Sequence, residues 1–566
     1  MTKISKKFSM IKSLSVISII TLPPIISTSC TMHIIIHKDT IIKLFQTSDI
    51  HGYLIDTTSN DEATFQYRLA YIANQIQKAR ENIFIDDVLL LDGGDIYQGQ
   101  VVSNFTEGAA LRAALDLMKY DAVTLGNHEF DWTLGVSCSE NGTIKKYDVA
   151  NKGKYKNDNP NIPVLAANLY YDNEEEPNKK RVEYTKDYVI INKANKKIAL
   201  IGYIPDYSND ITPDKIAPYY IDDDLEAFNK KIIEIDNLEK PDMTIVMAHA
   251  NPVPIANNLN HDYVQLVTGG HEHDFKSGIA ERTGIPYIQG GWFGQGYAST
   301  TIKFKYDNTL TIENSECINI ISNDIQSRLY DNDENKQYLD KNILELSHFA
   351  WDYIADKMLE RLGYIKTSII RNRKINVNGT ATSAGNWVTS LFKEGTNVDV
   401  AFYNTDGIRA SFEVPDGGKK VITLGNIYTM LPFNNRLYIY EVNGKQLKQQ
   451  LLNGIKYSNY GDQLTGLKFK YTIDSNGNIE ITEIILDNGT VVNMDDENTL
   501  YRICLSSYSS NLEGSIANEF GLEPINKQTA KTDAEVVIDM IKKHCGSTDP
   551  NEFLIEVDLS ERGARV

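Results

Sequence analysis

The chain has 566 residues, too many for one ordinary domain and enough for two large ones. A hydrophobic fraction of 42% supplies packed cores and excludes global disorder. The formal charge of −19, from 57 basic and 76 acidic residues, excludes a broad nucleic-acid surface, which needs clustered Lys and Arg; a small anionic substrate is still admitted, because a metal can dominate the charge of one cleft.

In chain order, the first stretch reads as targeting. Lys3, Lys6, Lys7 and Lys12 precede an apolar run from Leu14 to Ile26, too short to span a bilayer easily and broken by Pro23-Pro24. Residues 1–30 therefore read as a signal peptide, with small residues in "STSC" that suit cleavage. The same box loosely resembles that before a lipidated cysteine, so lipidation of Cys30 and an uncleaved anchor stand beside plain secretion. No other segment approaches transmembrane length. The expected location is secreted, periplasmic or cell-surface, with any membrane attachment through this segment only.

From residue 41 short apolar strands alternate with helices. "IIKLF" (41–45), "VLLL" (88–91), "AVTL" (122–125), "IALIGY" (198–203), "MTIVMA" (243–248) and "YVQLVT" (263–268) read as strands. Residues 62–80 carry Phe65, Leu69, Ile72 and Ile76 at helical spacing, and 108–119 place Leu111, Leu115 and Met118 on one face. This alternation implies α/β layers. Residues 328–342 are polar and open a helical pattern running to about Leu362, which predicts a connection over 328–365 between a domain at 41–327 and another at 366–566. In the latter, helices near Asn386–Phe392 and Gly444–Leu452, strands "VDVAFYN" and "RLYIYEV", and hairpins over 468–495 predict an α+β arrangement. The five cysteines (Cys30, Cys138, Cys317, Cys504 and Cys545) form no C-x-x-C pair, so a thiolate zinc site is not expected. N-x-T sequons begin at Asn104, Asn141, Asn378 and Asn488.

The chemistry gathers where strands end. The first strand leads to "QTSDIHGY", with Asp49 and His51; the second to "DGGDIYQGQ", with Asp95; the third to "GNHEFD", with Asn127 and His128. "MTIVMA" leads to His249, and "YVQLVT" to "GGHEHDF", with His271 and His273. One Asp or His after a strand is usually a cap or turn residue. Five such ends are another matter, because ligands of open α/β sheets bind outside the carboxyl ends of strands. Carboxylates, an amide and imidazoles at one rim would repel or compete without a cation. Imidazole, carboxylate and amide without thiolate suit Zn, Mn, Fe, Co or Mg, and two such ions can share a bridging carboxylate and a bridging water that becomes a hydroxide nucleophile.

"SDIHG", "GGDIYQG", "GNHEFDW", "MAHA" and "GGHEH" resemble the calcineurin-like metallophosphoesterases, and more narrowly the 5′-nucleotidase and UDP-sugar hydrolase branch, as do "NTDGIR" and "LPFNN" further on. The resemblance implies a four-layer α/β/β/α metallophosphoesterase domain followed by a smaller α+β 5′-nucleotidase C-terminal domain that binds substrate. It implies two divalent metal ions: Asp49, His51 and His273 on the first, Asn127, His249 and His271 on the second, and Asp95 bridging both. His128, paired with Asp131, would act on the phosphoryl group or leaving oxygen, and Glu129 would be structural. Asn404 and Arg409 would contact substrate, and Phe433 and Tyr508 would sandwich a base. The implied activity is phosphate release from nucleoside monophosphates by in-line attack of a metal-bridging hydroxide. Protein phosphatases of the superfamily carry an arginine where "GGDIYQGQ" has Gly99.

The chain also departs from the branch. Asn378 stands where an arginine is usual, "NTDGIR" replaces a glycine-rich segment, and "NLEG" (511–514) replaces "GGDG", with Glu513 in place of an aspartate. UDP-sugars or 2′,3′-cyclic nucleotides thus stand as alternative substrates, and a non-catalytic metal-containing surface binding protein as an alternative of another class.

Overall fold

The computed structural model describes residues 38–57, 62–106, 108–132, 134, 162–172, 180–206, 211, 213–307, 309–371, 382–456, 462–512, 514–557 and 563–565. The targeting segment with Cys30, and Cys138, Asn141, Arg373, Asn378 and Glu513, lie outside them.

The first half is a sandwich of two six-stranded sheets. In the first sheet, Thr40–Thr47, Asp87–Asp92, Ala122–Thr124 and Val164–Leu165 run parallel, and the antiparallel pair Gly296–Phe304 and Leu310–Asn319 completes one side. In the second, Lys196–Tyr203, Met243–Ala248, Leu266–Thr268 and Pro286–Gly290 run parallel, flanked by antiparallel Tyr188–Lys193 and Phe275–Ile279.

Alternation along each strand sorts side chains between layers. Ile42, Leu44, Leu89 and Leu91 meet Leu200, Ile245, Met247 and Leu266 between the sheets. Val88, Leu90 and Val123 turn outward onto helices Arg68–Arg80 and Ala109–Met118, through Ile72, Ile76, Leu111 and Leu115. Ile201, Val246 and Val267 turn outward from the second sheet onto helices Leu225–Glu239 and Pro252–Asn258. The order is helix, sheet, sheet, helix.

Two elements differ from the sequence pattern. "YVQLVT" is a strand only over Leu266–Thr268, because Tyr263 and Val264 both turn back to the Asn260 carbonyl. The helix expected up to Leu362 spans Lys341–Met358, started by the Asp340 carboxylate on the N–H groups of Asn342 (2.9 Å) and Ile343 (3.0 Å). Arg361–Ile365 is instead a strand paired with Lys420–Thr423. The helix buries Ile343, Leu346, Ala350 and Ile354 in a core that continues into the second half.

There the sheet Leu437–Asn443, Leu500–Ser506, Val400–Asn404 and Asp462–Thr465 packs against helices Ser383–Thr396 and Gly444–Lys456. Helix Asp533–Cys545 packs on Ser383–Thr396. Asp533 at its start is fully buried and accepts the Tyr403 hydroxyl at 2.6 Å. Cys317, Cys504 and Cys545 are thiols without a disulfide.

Burial pushes the Asp533 carboxyl up to about 7, above its unfolded value near 3.9. The folded state therefore binds this proton more tightly. The stabilisation is complete below the unfolded value and is lost as pH rises through about 7. In urea melts at pH 5 and pH 8, Asp533→Asn should remove part of the parent chain's loss of stability on going to pH 8.

Candidate active site

The carboxyl ends of the parallel strands in both sheets meet at one rim, and the sequence-predicted ligands converge there. Asp49, His51 and His273 form one group whose ligand atoms lie within 4.8 Å of one another; Asp95, His249 and His271 form a second. Asp95 Oδ2 is 3.6 Å from His51 Nε2 and 3.3 Å from His249 Nε2, so it lies between the groups. His273 Nε2 is 3.0 Å from His51 Nε2 and 3.7 Å from Asp49 Oδ1. Asn127 Oδ1 lies 3.0 Å from His271 Nδ1. His51, Asp95 and His128 also meet the 4.8 Å criterion, so His128 borders the ligand set.

Local geometry explains how. Asp49, His51, Asp95, His271 and His273 all have left-handed φ, between 47° and 74°. A residue with a β-carbon adopts this region at a cost of roughly 1–3 kcal/mol, and such residues cluster at functional sites. The loops carrying Asp49 and Asp95 are zipped together by Asp49 N–H to the Gly94 carbonyl and His51 N–H to the Asp95 carbonyl, both at 2.9 Å. Gly126 has no room for a side chain, since a Cβ there would sit 2.2 Å from Asp95 Oδ1. The Glu129 carboxylate is buried and accepts the N–H groups of Gly126 (2.8 Å), Asp95 (2.9 Å) and Ile96 (2.9 Å), which locks two ligand loops together.

The imidazoles are oriented from behind. His51 Nδ1 faces the Gln98 carbonyl at 2.9 Å, and His249 Nδ1 the Gly93 carbonyl at 2.6 Å. A carbonyl only accepts, so the proton sits on Nδ1 and each Nε2 turns toward Asp95, the tautomer that suits a metal ligand. Burial pushes Asp49 up to about 7, helped by the neighbouring Asp95. For Asp95, burial is outweighed by the imidazoles of His249 and His128, which hold it well below the carboxylate range. Burial depresses His51, whereas for His249 the Asp95 carboxylate overrides burial and lifts the imidazole to about 10. The donors fit divalent cations, which would balance the buried carboxylates.

A short 3-10 turn over Asn127–Phe130 puts His128 and Asp131 on one side. His128 Nδ1 is 2.7 Å from Asp131 Oδ2, and the His128 N–H donates to Asp95 Oδ1 at 2.8 Å. Lys215 donates to the other Asp131 oxygen at 2.9 Å. Burial would raise Asp131, but Lys215 and His128 bring it to about 2; burial would lower His128, but Asp95 and Asp131 raise it. Asp131 thus holds a charged partner for an imidazolium.

A cavity of about 560 Å³ opens over this rim. Asn404, Arg409, Phe433 and Tyr508 of the second half line it together with Asp95, Asn127, His128, His271 and His273. Phe433 stacks on His128 at 5.4 Å, and the Arg409 guanidinium lies 5.4 Å over the same ring. The two halves are tied beside the cavity by Gln98 and Asn104, whose amides donate to the Pro432 carbonyl at 3.1 Å. The Asn104 sequon amide is therefore engaged between the halves. Lys215 also lines the cavity and lies in no motif; Glu272, Asp406 and Asn435 line it from within "GGHEH", "NTDGIR" and "LPFNN", where the motifs gave them no role of their own. Arg371 reaches Asp406 at 3.3 Å.

Residues 42–275 match the family model for calcineurin-like phosphoesterases, and residues 361–517 that for the 5′-nucleotidase C-terminal domain. A trifunctional nucleotide phosphoesterase protein of Bacillus subtilis is 25% identical over 499 residues, which make up 82% of this chain but 31% of that relative, so the chain spans about a third of its length. A 5′-nucleotidase of Vibrio parahaemolyticus is 24% identical over 561 residues, covering 91% of this chain and 92% of the relative. The crystal structure of a 5′-nucleotidase precursor from Thermus thermophilus shares the fold, with a TM-score of 0.69 at 20% identity over 93% of this chain and 99% of that one.

Gly126→Ala should lower bound metal per chain, measured by atomic emission, because the new methyl displaces Asp95. Glu129→Ala should do the same and also cost at least about 3 kcal/mol in denaturant melts, since three buried N–H groups lose their acceptor at about 1–3 kcal/mol each.

Proposed function

The chain belongs to the 5′-nucleotidase type of calcineurin-like metallophosphoesterases, and on that premise we propose that it hydrolyses nucleoside monophosphates to nucleoside and phosphate at the rim between its halves, as a secreted or surface enzyme. The observation that carries this reading is the Asp95 carboxylate standing between two groups of imidazole and carboxylate donors, with the His128–Asp131 pair 2.7 Å apart beside it. We assign Asp49, His51 and His273 to one divalent ion, Asn127, His249 and His271 to a second, and Asp95 to both. Such ions supply a hydroxide nucleophile at neutral pH and polarise the phosphoryl oxygens.

The chain's own residues do the rest. Asp131 keeps His128 in the tautomer and charge state that presents an Nε2–H to the cavity, where it stabilises charge developing on the leaving oxygen. Lys215 holds the far oxygen of Asp131, so that the carboxylate keeps one edge toward the imidazole. Arg409 and Asn404 meet the phosphate or ribose from the second half. Phe433 and Tyr508 offer aromatic faces for a base. Phe433 rests on His128, so a bound nucleotide has to take over that stacking face.

A second reading keeps the chemistry and changes the substrate. Asp406 of "NTDGIR" lines the cavity and is held by Arg371, so a charged side chain stands where the branch has glycine. This favours a phosphoester other than a nucleoside monophosphate, such as a UDP-sugar or a 2′,3′-cyclic nucleotide. A surface binding protein without turnover has no use for the His128–Asp131 pair.

Purified chain loaded with Mn, Zn, Co or Mg should release phosphate from AMP, and Asp95→Asn should lose bound metal and activity together. His128→Ala should lower kcat by about 10²–10⁴-fold with metal content unchanged; loss of metal in that variant would refute its assignment. In a panel of AMP, UDP-glucose and 2′,3′-cyclic AMP, Phe433→Ala and Tyr508→Ala should raise KM for the preferred nucleotide, and an unchanged KM would remove both rings from the base site.

A further inference from the structure

The end of the sandwich opposite the metal rim is unusual in what it exposes. Ile83 and Phe84 project from the turn before strand Asp87–Asp92, with 84% and 73% of their surface open to solvent. Tyr306 lies in the hairpin between Gly296–Phe304 and Leu310–Asn319, Leu238 at the last turn of helix Leu225–Glu239, and Ile279 where Phe275–Ile279 meets Pro286. All three are at least 67% exposed. Among the described residues up to 327, every large exposed hydrophobic side chain except Tyr220 lies at this end.

The positions follow from strand direction. Asp87 and Met243 begin parallel strands whose other ends carry ligand loops, Pro286 begins a strand parallel to them, and Phe304 pairs with Thr40 at the start of the first strand. The two sheets share this end: the Ala194 N–H of the second donates to Asp87 of the first at 3.0 Å. Singly exposed hydrophobics are ordinary; that five of the six found among the described residues up to 327 fall at one end is what a surface contact there would explain.

The chain itself indicates what covers it. Lys38 is where the described chain begins, and it is bound to Asp86, two residues from Phe84, at 2.6 Å. Asp39 accepts the Tyr306 N–H at 3.1 Å. The segment carrying the apolar run Leu14–Ile26 and Cys30 therefore joins the fold beside Phe84 and Tyr306. The lysines here are compensated: Lys38 by Asp86, Lys303 by Asp39, and Lys196 by Asp242.

We propose that this end faces a lipid bilayer, with Phe84, Ile83, Leu238 and Ile279 entering the headgroup–acyl boundary and Tyr306 at the interface, so that the metal rim points into water. The proposal rests on the surface location given above and is independent of the substrate. The test uses the full chain with vesicles of phosphatidylglycerol and phosphatidylethanolamine carrying brominated acyl chains. Phe84→Trp and Leu238→Trp should show added fluorescence that the brominated lipid quenches by about twofold or more. Val491→Trp, exposed in the second half, should show no quenching. Unchanged melting temperatures show that the variants are folded. A chain that does not co-sediment with the vesicles overturns the proposal, as does a bound chain whose residue 84 and 238 probes stay unquenched. A concentration-dependent blue shift at residue 84 without vesicles also overturns it, by assigning the face to a second copy of the chain. Phosphate release is no part of the readout, so failure here leaves the phosphoesterase reading standing, and the converse holds.

Discussion

The structure depends on the convergence of like-minded groups. Asp49, Asp95, His51, His249, His271, His273 and Asn127 turn carboxylate, imidazole and amide donors onto one small volume, and most of them are fully buried. Without cations such a cluster is unfavourable: the carboxylates repel, burial opposes their charge, and protons have to be held to compensate. The backbone adds to that cost, since five of the seven adopt a left-handed conformation. A chain that accepts both penalties at one rim is built to receive positive charge there.

What holds the arrangement is a layer behind the ligands. The Gly93 and Gln98 carbonyls orient two imidazoles, Glu129 gathers three N–H groups from two loops, and Gly126 removes the side chain that would press on Asp95. None of these groups need touch a substrate. Their work is to make a strained constellation the lowest state of a rigid sandwich, which is how preorganised sites act. The second half then closes one side of the rim, with Phe433 stacked on His128, Arg409 over the Phe433 ring, and the Pro432 carbonyl shared by Gln98 and Asn104.

Parallel strands also give the domain a direction. Their carboxyl ends collect polar ligand loops. Their amino ends collect the returning turns, where the N-terminal segment joins the fold beside the exposed apolar side chains. One end is polar, buried and preorganised; the other exposes five large hydrophobic side chains beside ion pairs. The same topology produces both, because each crossover connection must leave at one end and return at the other.

Much of this was legible in residue order. Strands ending in "SDIHG", "GGDIYQG", "GNHEFDW", "MAHA" and "GGHEH" are recognisable because hydrophobic runs mark strands and because metal chemistry restricts the residue types that follow them. The spacing of His128 and Asp131 already implies a shared face on a helical turn. The stop at Met358, the short strand Leu266–Thr268 and the cavity positions of Lys215, Asp406 and Asn435 were not legible. Local pattern is similar for a helix that continues and one replaced by a strand, and a lone lysine in "TPDKI" carries no periodicity. Sequence alone determined the α/β layering and the list of candidate ligating side chains, since burial pattern and donor chemistry are properties of each residue. Tertiary structure alone decided which carboxylate lies between the two groups, which carbonyls orient the imidazoles, and which end of the domain exposes hydrophobic side chains. Those are distances between segments far apart in the chain, and only packing sets them.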